Sequence, residues 1–263
     1  MEKFDIKKIG IVLAIIAVVV LATFLISKAF TGNVDKESLE KYEKTTIDYY
    51  LGLTAGLNTP FDGYEALYEA EETTIENLSD RQLLHTAIDY ITKENKATSG
   101  DYRTLLMLYK DKYPAIEKSG IFKAEELREA IKVLFGIDNF ANPTILADAT
   151  SLTTYEYLAE EDIYLVYGDY TNSVVDTNLM LDYSVIETTS KKDKIITTVA
   201  IAYVQKNNDK KTYASDRFGE SIVAENVTEF PTDKIDEFKK YEFTLTKSKD
   251  GKSYIFESVK KVK

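Results

Sequence analysis

The strongest constraint on this chain is an uncharged run of 18 residues from Ile9 to Ile26, made mostly of Ile, Val, Leu and Ala. As an α-helix at about 1.5 Å per residue, the run spans roughly 27 Å, close to the hydrocarbon thickness of a bilayer. The run has no polar face, and a helix that is apolar all round is rare in the core of a water-soluble protein. The run predicts a transmembrane helix over residues 9–27, between a short tail of residues 1–8 and a linker of residues 28–35.

A cleaved signal peptide is the alternative to an anchor. Ser27 and Ala29 place small residues at the −3 and −1 positions of a cleavage site, and cleavage after Ala29 would release a secreted binding protein. Apolar cores of signal peptides usually run about 7–15 residues, so the length of this run favours a signal anchor. Lys7 and Lys8 precede the run, and the positive-inside rule then predicts a single-pass protein of the cell membrane with its C-terminal domain extracytoplasmic.

The charge balance narrows the possible partners. The net charge is −11, and because residues 1–30 carry +2, the remainder carries −13. Nucleic-acid binding depends on neutralising phosphates with basic side chains, so we predict no nucleic-acid partner. The chain has no cysteine, which excludes disulfides, thiolate metal sites and thiol nucleophiles. Its few arginines beside many lysines, isoleucines and tyrosines favour a bacterial source with an AT-rich genome.

Helical signals dominate residues 36–150, which we predict as a mainly helical region. A charged, tyrosine-containing stretch from residue 36 to 53 comes first. Ser79 and Gln82 form a capping-box pattern before a second helix. Apolar residues recur with helical spacing in three stretches: directly after the capping box, over residues 102–113, and from Ala124 to Phe135. Gly136 follows the last stretch as a predicted C-terminal cap.

The spacing of apolar residues changes from helical to alternating after residue 150, and we predict a mainly antiparallel β region over residues 151–263. Ile195–Val204 is rich in β-branched residues and predicts a central strand. Asp250-Gly251 lies between two alternating runs, which is a strong hairpin signal. Two further hairpin loops are predicted at residues 191–193 and 207–209. The expected fold class is therefore α+β, with an N-terminal transmembrane helix, an α-helical region and then a mainly antiparallel β-sheet.

No assembled catalytic or metal-binding motif is present. His85 is the only histidine, and we interpret it as a residue at the boundary of an amphipathic helix. Acidic runs could supply the paired carboxylates of a hydrolase. They are Glu69, Glu71 and Glu72, and Glu160, Glu161 and Asp162. Because neighbouring acids usually form a solvated surface, an envelope hydrolase is the second hypothesis, and we predict no catalytic residue, no metal ligand and no cofactor.

Tyrosine is the enriched residue type, at 19 positions. Exposed tyrosines often make protein contacts, because they bury much area at a low entropic cost. The candidate binding residues are Tyr164, Tyr167, Asp169 and Tyr170. The first hypothesis is therefore a membrane-anchored extracytoplasmic binding or scaffold protein of the cell envelope, without enzymatic activity, whose partner is another envelope protein.

Overall fold

A computed structural model describes residues 34–51, 72–94, 107, 112, 120–146, 154–167, 179–216 and 219–262. The fold of these residues is α+β, with an antiparallel sheet and few helices. Among them, no helix combines the length and the apolar character needed to cross a bilayer. The predicted transmembrane helix over residues 9–27 lies outside the described residues and stays a prediction.

Three α-helices are described: α1 (Lys36–Thr45), α2 (Asp80–Lys93) and α3 (Ala124–Phe135). The predicted capping box of α2 is confirmed, because the Ser79 hydroxyl accepts from the Gln82 backbone and the Gln82 side chain accepts from the Ser79 backbone. The predicted end of α3 is also confirmed, with Gly136 at φ 69°. Glycine is favoured there for its left-handed backbone conformation, while a Cβ would lie 2.5 Å from Cδ1 at the end of the Ile255 side chain.

Eleven strands are described, in two sheets. The seven-stranded sheet contains β1 (Glu72–Thr74), β6 (Leu179–Lys191), β7 (Lys194–Asn207), β8 (Lys210–Ala214), β9 (Ile222–Val227), β10 (Lys239–Lys247) and β11 (Tyr254–Val262). The four-stranded sheet contains β2 (Gly120–Lys123), β3 (Ile145–Leu146), β4 (Thr154–Leu158) and β5 (Ile163–Tyr167). All the strand pairs are antiparallel, and the predicted hairpin turns at residues 191–193, 207–209 and 250–251 are confirmed.

Strand β7 is the centre of the large sheet, as its β-branched sequence predicts. It pairs along its length with β6 on one edge, and with β10 and then β8 on the other. Its two faces enter different apolar clusters. Ile195, Val199 and Ile201 pack beneath the helices, while Ala200, Ala202 and Val204 pack on the opposite face.

The main core joins the helical and β regions. Apolar side chains of α2 and α3 pack there with side chains from both sheets, including Tyr155 and Phe256. The smaller core on the other face of the large sheet is closed by Phe230, Ile235 and Phe238, from the segment before β10.

Two features of residues 36–150 were not predicted. The short strands β1, β2 and β3 lie in this region, because they find partners among strands that come later in the chain. Residues Thr46–Tyr50 form a π-helix rather than a continuation of α1. This widened turn accompanies two side-chain contacts, from the Tyr49 hydroxyl to Glu94 at 2.7 Å and from the Tyr50 hydroxyl to the Leu134 carbonyl at 2.8 Å.

Candidate functional site

The only histidine of the chain faces the small sheet. Its Nδ1 lies 3.0 Å from the hydroxyl oxygen of Tyr155, and His85 is half-buried. The Arg81 guanidinium carbon lies 5.2 Å from the centroid of the Tyr155 ring. Tyr155 is fully buried, so this hydrogen bond and cation–π contact anchor a core tyrosine between α2 and β4. The arrangement is that of packing at a helix–sheet boundary, close to the interpretation of His85 from sequence.

A second polar group connects α3 with the β4–β5 hairpin; we call Arg128, Asp162 and Tyr157 the helix clamp. Both nitrogens of the Arg128 fork donate to the Asp162 carboxylate, at 3.0 and 2.8 Å. The Tyr157 hydroxyl donates to the same carboxylate at 2.8 Å. The hydrogen bonds from Arg128 are the main reason that the pKa of Asp162 lies below its ordinary value, and the bond from Tyr157 lowers this pKa further.

The neighbouring acids of the same run are also paired. Lys112 lies 2.8 Å from a carboxylate oxygen of Glu160 and 2.7 Å from one of Glu161. The contact with Lys112 lowers the pKa of Glu160. A general acid of a glycosidase needs a raised pKa, so the shifts at Glu160 and Asp162 run opposite to what that chemistry requires. Of the other acidic run, Glu72 is exposed on β1, while Glu69 and Glu71 lie outside the described residues.

The candidate tyrosines of the sequence analysis do not share one surface. Tyr164 is fully buried in the main core, and burial raises the pKa of its hydroxyl. Tyr167 lies on the opposite face of β5, where it packs near Leu165 and its hydroxyl donates to Glu156 at 3.0 Å. The structure therefore does not bring these two residues together. Asp169 and Tyr170 lie outside the described residues, and their binding role stays a prediction.

A different feature is accessible: the outer edge of β6. Within the part of the chain that the structure describes, β6 pairs only with β7. Tyr183 and Ile186 are exposed on this strand, at 40% and 41% of their surface. The register shifts between Val185 and Glu187, so Ile186 lies in a bulge. An extended edge with exposed apolar side chains can accept a strand from another protein.

Beside this edge lies a polar group that we call the strand clamp: Lys211, Asp182 and Tyr213. The ammonium of Lys211 and the hydroxyl of Tyr213 both donate to the Asp182 carboxylate, at 2.9 and 2.7 Å. Burial opposes ionisation of Asp182, but these two hydrogen bonds keep its pKa below the ordinary value. Burial and the Asp182 contact raise the pKa of Tyr213 to about 12. The clamp links β6 to β8 across β7 and so holds the edge strand in place.

The sequence predicts strand β6 but not its position at the border of the sheet. Alternation at Tyr183 and Val185 predicts a strand, but no local pattern reveals which strands lie at the border of a sheet. Among the described residues, no group of three or more His, Cys, Asp or Glu is arranged to hold a metal ion. No family model, no curated protein and no solved structure matches the chain.

Proposed function

We propose that the chain is a single-pass membrane protein of the cell envelope whose folded region lies outside the cytoplasm and binds another envelope protein. The observation that carries the binding proposal is the outer edge of β6, which has no partner strand among the described residues and on which Tyr183 and Ile186 are exposed. The apolar run over residues 9–27 supports the anchor. The cation-paired acids of the helix clamp and its neighbours favour binding over hydrolysis.

The partner that fits this edge is an extended segment with an apolar side chain. Backbone hydrogen bonds to β6 would supply part of the affinity, and contact with Tyr183 and Ile186 would supply selectivity. Residues before the bulge offer the longer regular stretch, from Leu179 to Val185. Because the anchor confines the domain near membrane-bound partners, a weak interaction is sufficient.

Site-specific photocrosslinking in intact cells tests the binding edge. A photoreactive phenylalanine analogue replaces Ile186, and the matched control carries it at Val133, an aliphatic residue of α3 with a similar exposure of 42%. We expect a discrete crosslinked protein from position 186 that is lost in the Tyr183→Lys variant, because an edge lysine opposes strand addition. Equal products from both positions, or none from position 186, would refute the binding edge.

Protease treatment of intact cells tests the orientation separately. With a tag at the C-terminus, we expect protease to remove the cell-associated tag, because the folded region is proposed to lie outside. A tag protected until lysis would place the domain in the cytoplasm. The intact mass of the mature protein tests the anchor: a chain that starts at Phe30 has been cleaved and is a secreted binding protein.

A further inference from the structure

Two hairpin loops meet at one end of the large sheet. The loop at residues 191–194 joins β6 to β7, and the loop at residues 247–252 joins β10 to β11. They are neighbours because β7 begins where β10 ends. Lys194 is paired with Thr246, and the backbone N–H of Lys247 donates to the Asp193 carbonyl at 2.9 Å. Segments distant in sequence therefore form one surface.

This surface carries the opposite charge to the rest of the molecule. Each of the two loops contains three lysines and one aspartate, so each contributes a net charge of +2 to a chain whose net charge is −11. All six lysines are exposed, and we call them the lysine tip. The lysine tip consists of Lys191, Lys192, Lys194, Lys247, Lys249 and Lys252. Glu257 is the acid at its border, and it is paired with Lys194.

Helix α1 packs close to this end of the sheet. Glu43 of α1 accepts a hydrogen bond from Thr188, three residues before the first loop. Tyr42 contacts Tyr254, the second residue after the 247–252 loop. In the π-helix that follows, Tyr50 contacts Phe256, which is level in the sheet with Ile195 near the start of β7. The contacted residues Thr188, Tyr254 and Phe256 all lie within a few residues of the two loops, so α1 and the π-helix pack against the half of the sheet that ends in the lysine tip.

We propose that the lysine tip contacts the anionic lipid headgroups of the membrane in which residues 9–27 insert. This inference rests on the anchor in the proposed function. The linker of residues 28–35 spans at most about 28 Å when fully extended, so the start of α1 stays close to the bilayer, and α1 packs against the half of the sheet that carries the lysine tip. Lysines near an anionic surface are attracted to it, whereas the acidic remainder of the domain is repelled.

The consequence is a defined orientation of the domain on the membrane. The lysine tip faces the headgroups, and the β7–β8 loop at residues 207–210 points away from them, because it lies at the other end of β7. Strand β6 then runs roughly perpendicular to the membrane surface, and its outer edge does not lie against the bilayer. An upright edge remains accessible to a strand from a neighbouring envelope protein.

Energy transfer in reconstituted vesicles tests this orientation. The full-length chain has no cysteine, so Thr189→Cys near the tip and Asp209→Cys at the opposite end each give one labelling position. Transfer is measured to acceptors on lipid headgroups, in phosphatidylcholine vesicles with and without phosphatidylglycerol. We expect phosphatidylglycerol to increase transfer from position 189 and not from position 209. Salt at about 1 M, where the Debye length is about 3 Å, should abolish the increase.

A charge-matched pair of variants identifies the lysines responsible. Lys191, Lys249 and Lys252 are replaced by Gln in the test variant, and the exposed Lys206, Lys210 and Lys261 in the control variant. Each lysine near an anionic surface should change the equilibrium constant for the tip-down orientation by about fivefold. The test variant, which lacks three of them, should therefore lower this constant by about 100-fold. The control variant should leave the transfer unchanged, and thermal melting checks that both variants fold.

The possible failures are distinguishable. A chain that does not float with the vesicles would refute the anchor, and the inference would fall with it. A chain that floats but shows the same transfer at position 189 in both lipid mixtures would refute the lysine tip alone. Equal losses in the two lysine variants would also refute it, because a general charge effect would then explain the result.

Discussion

The helix clamp and the strand clamp use the same chemistry in two parts of the molecule. In each, a carboxylate accepts hydrogen bonds from one cation and one tyrosine hydroxyl. The helix clamp has an arginine that engages both oxygens of Asp162 and joins a helix to a hairpin. The strand clamp has a lysine that reaches one oxygen of Asp182 and joins two strands already held through β7.

This difference shows where a polar contact has to determine geometry. Backbone hydrogen bonds fix the relative positions of β6, β7 and β8, so a point charge is enough for the strand clamp. The ladder between β2 and β5 ends at Lys123, directly before α3, so it fixes only the start of the helix, and the planar fork of Arg128 supplies direction farther along it as well as attraction. The α3 end also receives one backbone contact, from the Ala124 N–H to the Asp162 carbonyl at 2.9 Å.

The largest expected difference between the clamps follows removal of each cation. Arg128→Ala should lower the free energy of unfolding by about 2 kcal/mol, and Lys211→Ala by about 1 kcal/mol, because the first removes two charge-assisted bonds and the second removes one. Urea denaturation measures both values. Lys132→Ala on the same helix is the control, because its ion pair with Asp138 is mostly exposed and should contribute less than about 0.5 kcal/mol. Equal losses at positions 128 and 211 would remove the distinction.

Exchanging the two kinds of cation sharpens the comparison. Arg128→Lys should cost about 1 kcal/mol, because an ammonium cannot make two parallel bonds to Asp162. Lys211→Arg should change the stability by no more than about 0.5 kcal/mol, because the strand pairing already determines the geometry there. The same urea denaturation measures both variants. A larger cost for Lys211→Arg than for Arg128→Lys would contradict the assigned roles.

The smallest expected effect is on the pH dependence of stability. The pKa values of Asp162 and Asp182 are lowered in the folded protein. Each group therefore stabilises the fold at pH values above its unfolded pKa, near 3.9, and this contribution is lost as the pH falls through the folded pKa. Asp162→Asn and Asp182→Asn should each flatten the fall in stability below about pH 4. The midpoint of urea denaturation, measured from about pH 6 down to the lowest pH at which the protein folds, tests this prediction. If the midpoint falls with pH as steeply in both variants as in the wild type, the prediction is contradicted.

Local patterns predicted much of the fold, because they depend on short-range physics. The Ser79–Gln82 capping box, the Gly136 cap and the three hairpin turns all follow from interactions within a few residues. The β-branched sequence of β7 predicts burial on both faces, which the large sheet confirms. The short strands β1, β2 and β3 were missed because their partners lie far away in the chain.

The candidate surfaces were less accessible to sequence analysis. Tyr164 looked similar to Tyr167 in sequence, but alternation along β5 turns one into the core and the other to the opposite face. The sequence predicts Lys191 and Lys192 only as part of a hairpin loop. Only the pairing of β7 with β10 brings it beside the lysines of the second loop.

The sequence alone determined the apolar run and its length, the acidic balance of the chain, the start of α2, the end of α3 and the hairpin turns. Each of these depends on composition or on residues close together in the chain. Tertiary structure decided which strand pairs on one side only within the described part of the chain, which tyrosines are buried, and that two lysine loops form one surface. These properties depend on which distant strands pair and in which register, because pairing brings together residues that the chain itself keeps apart.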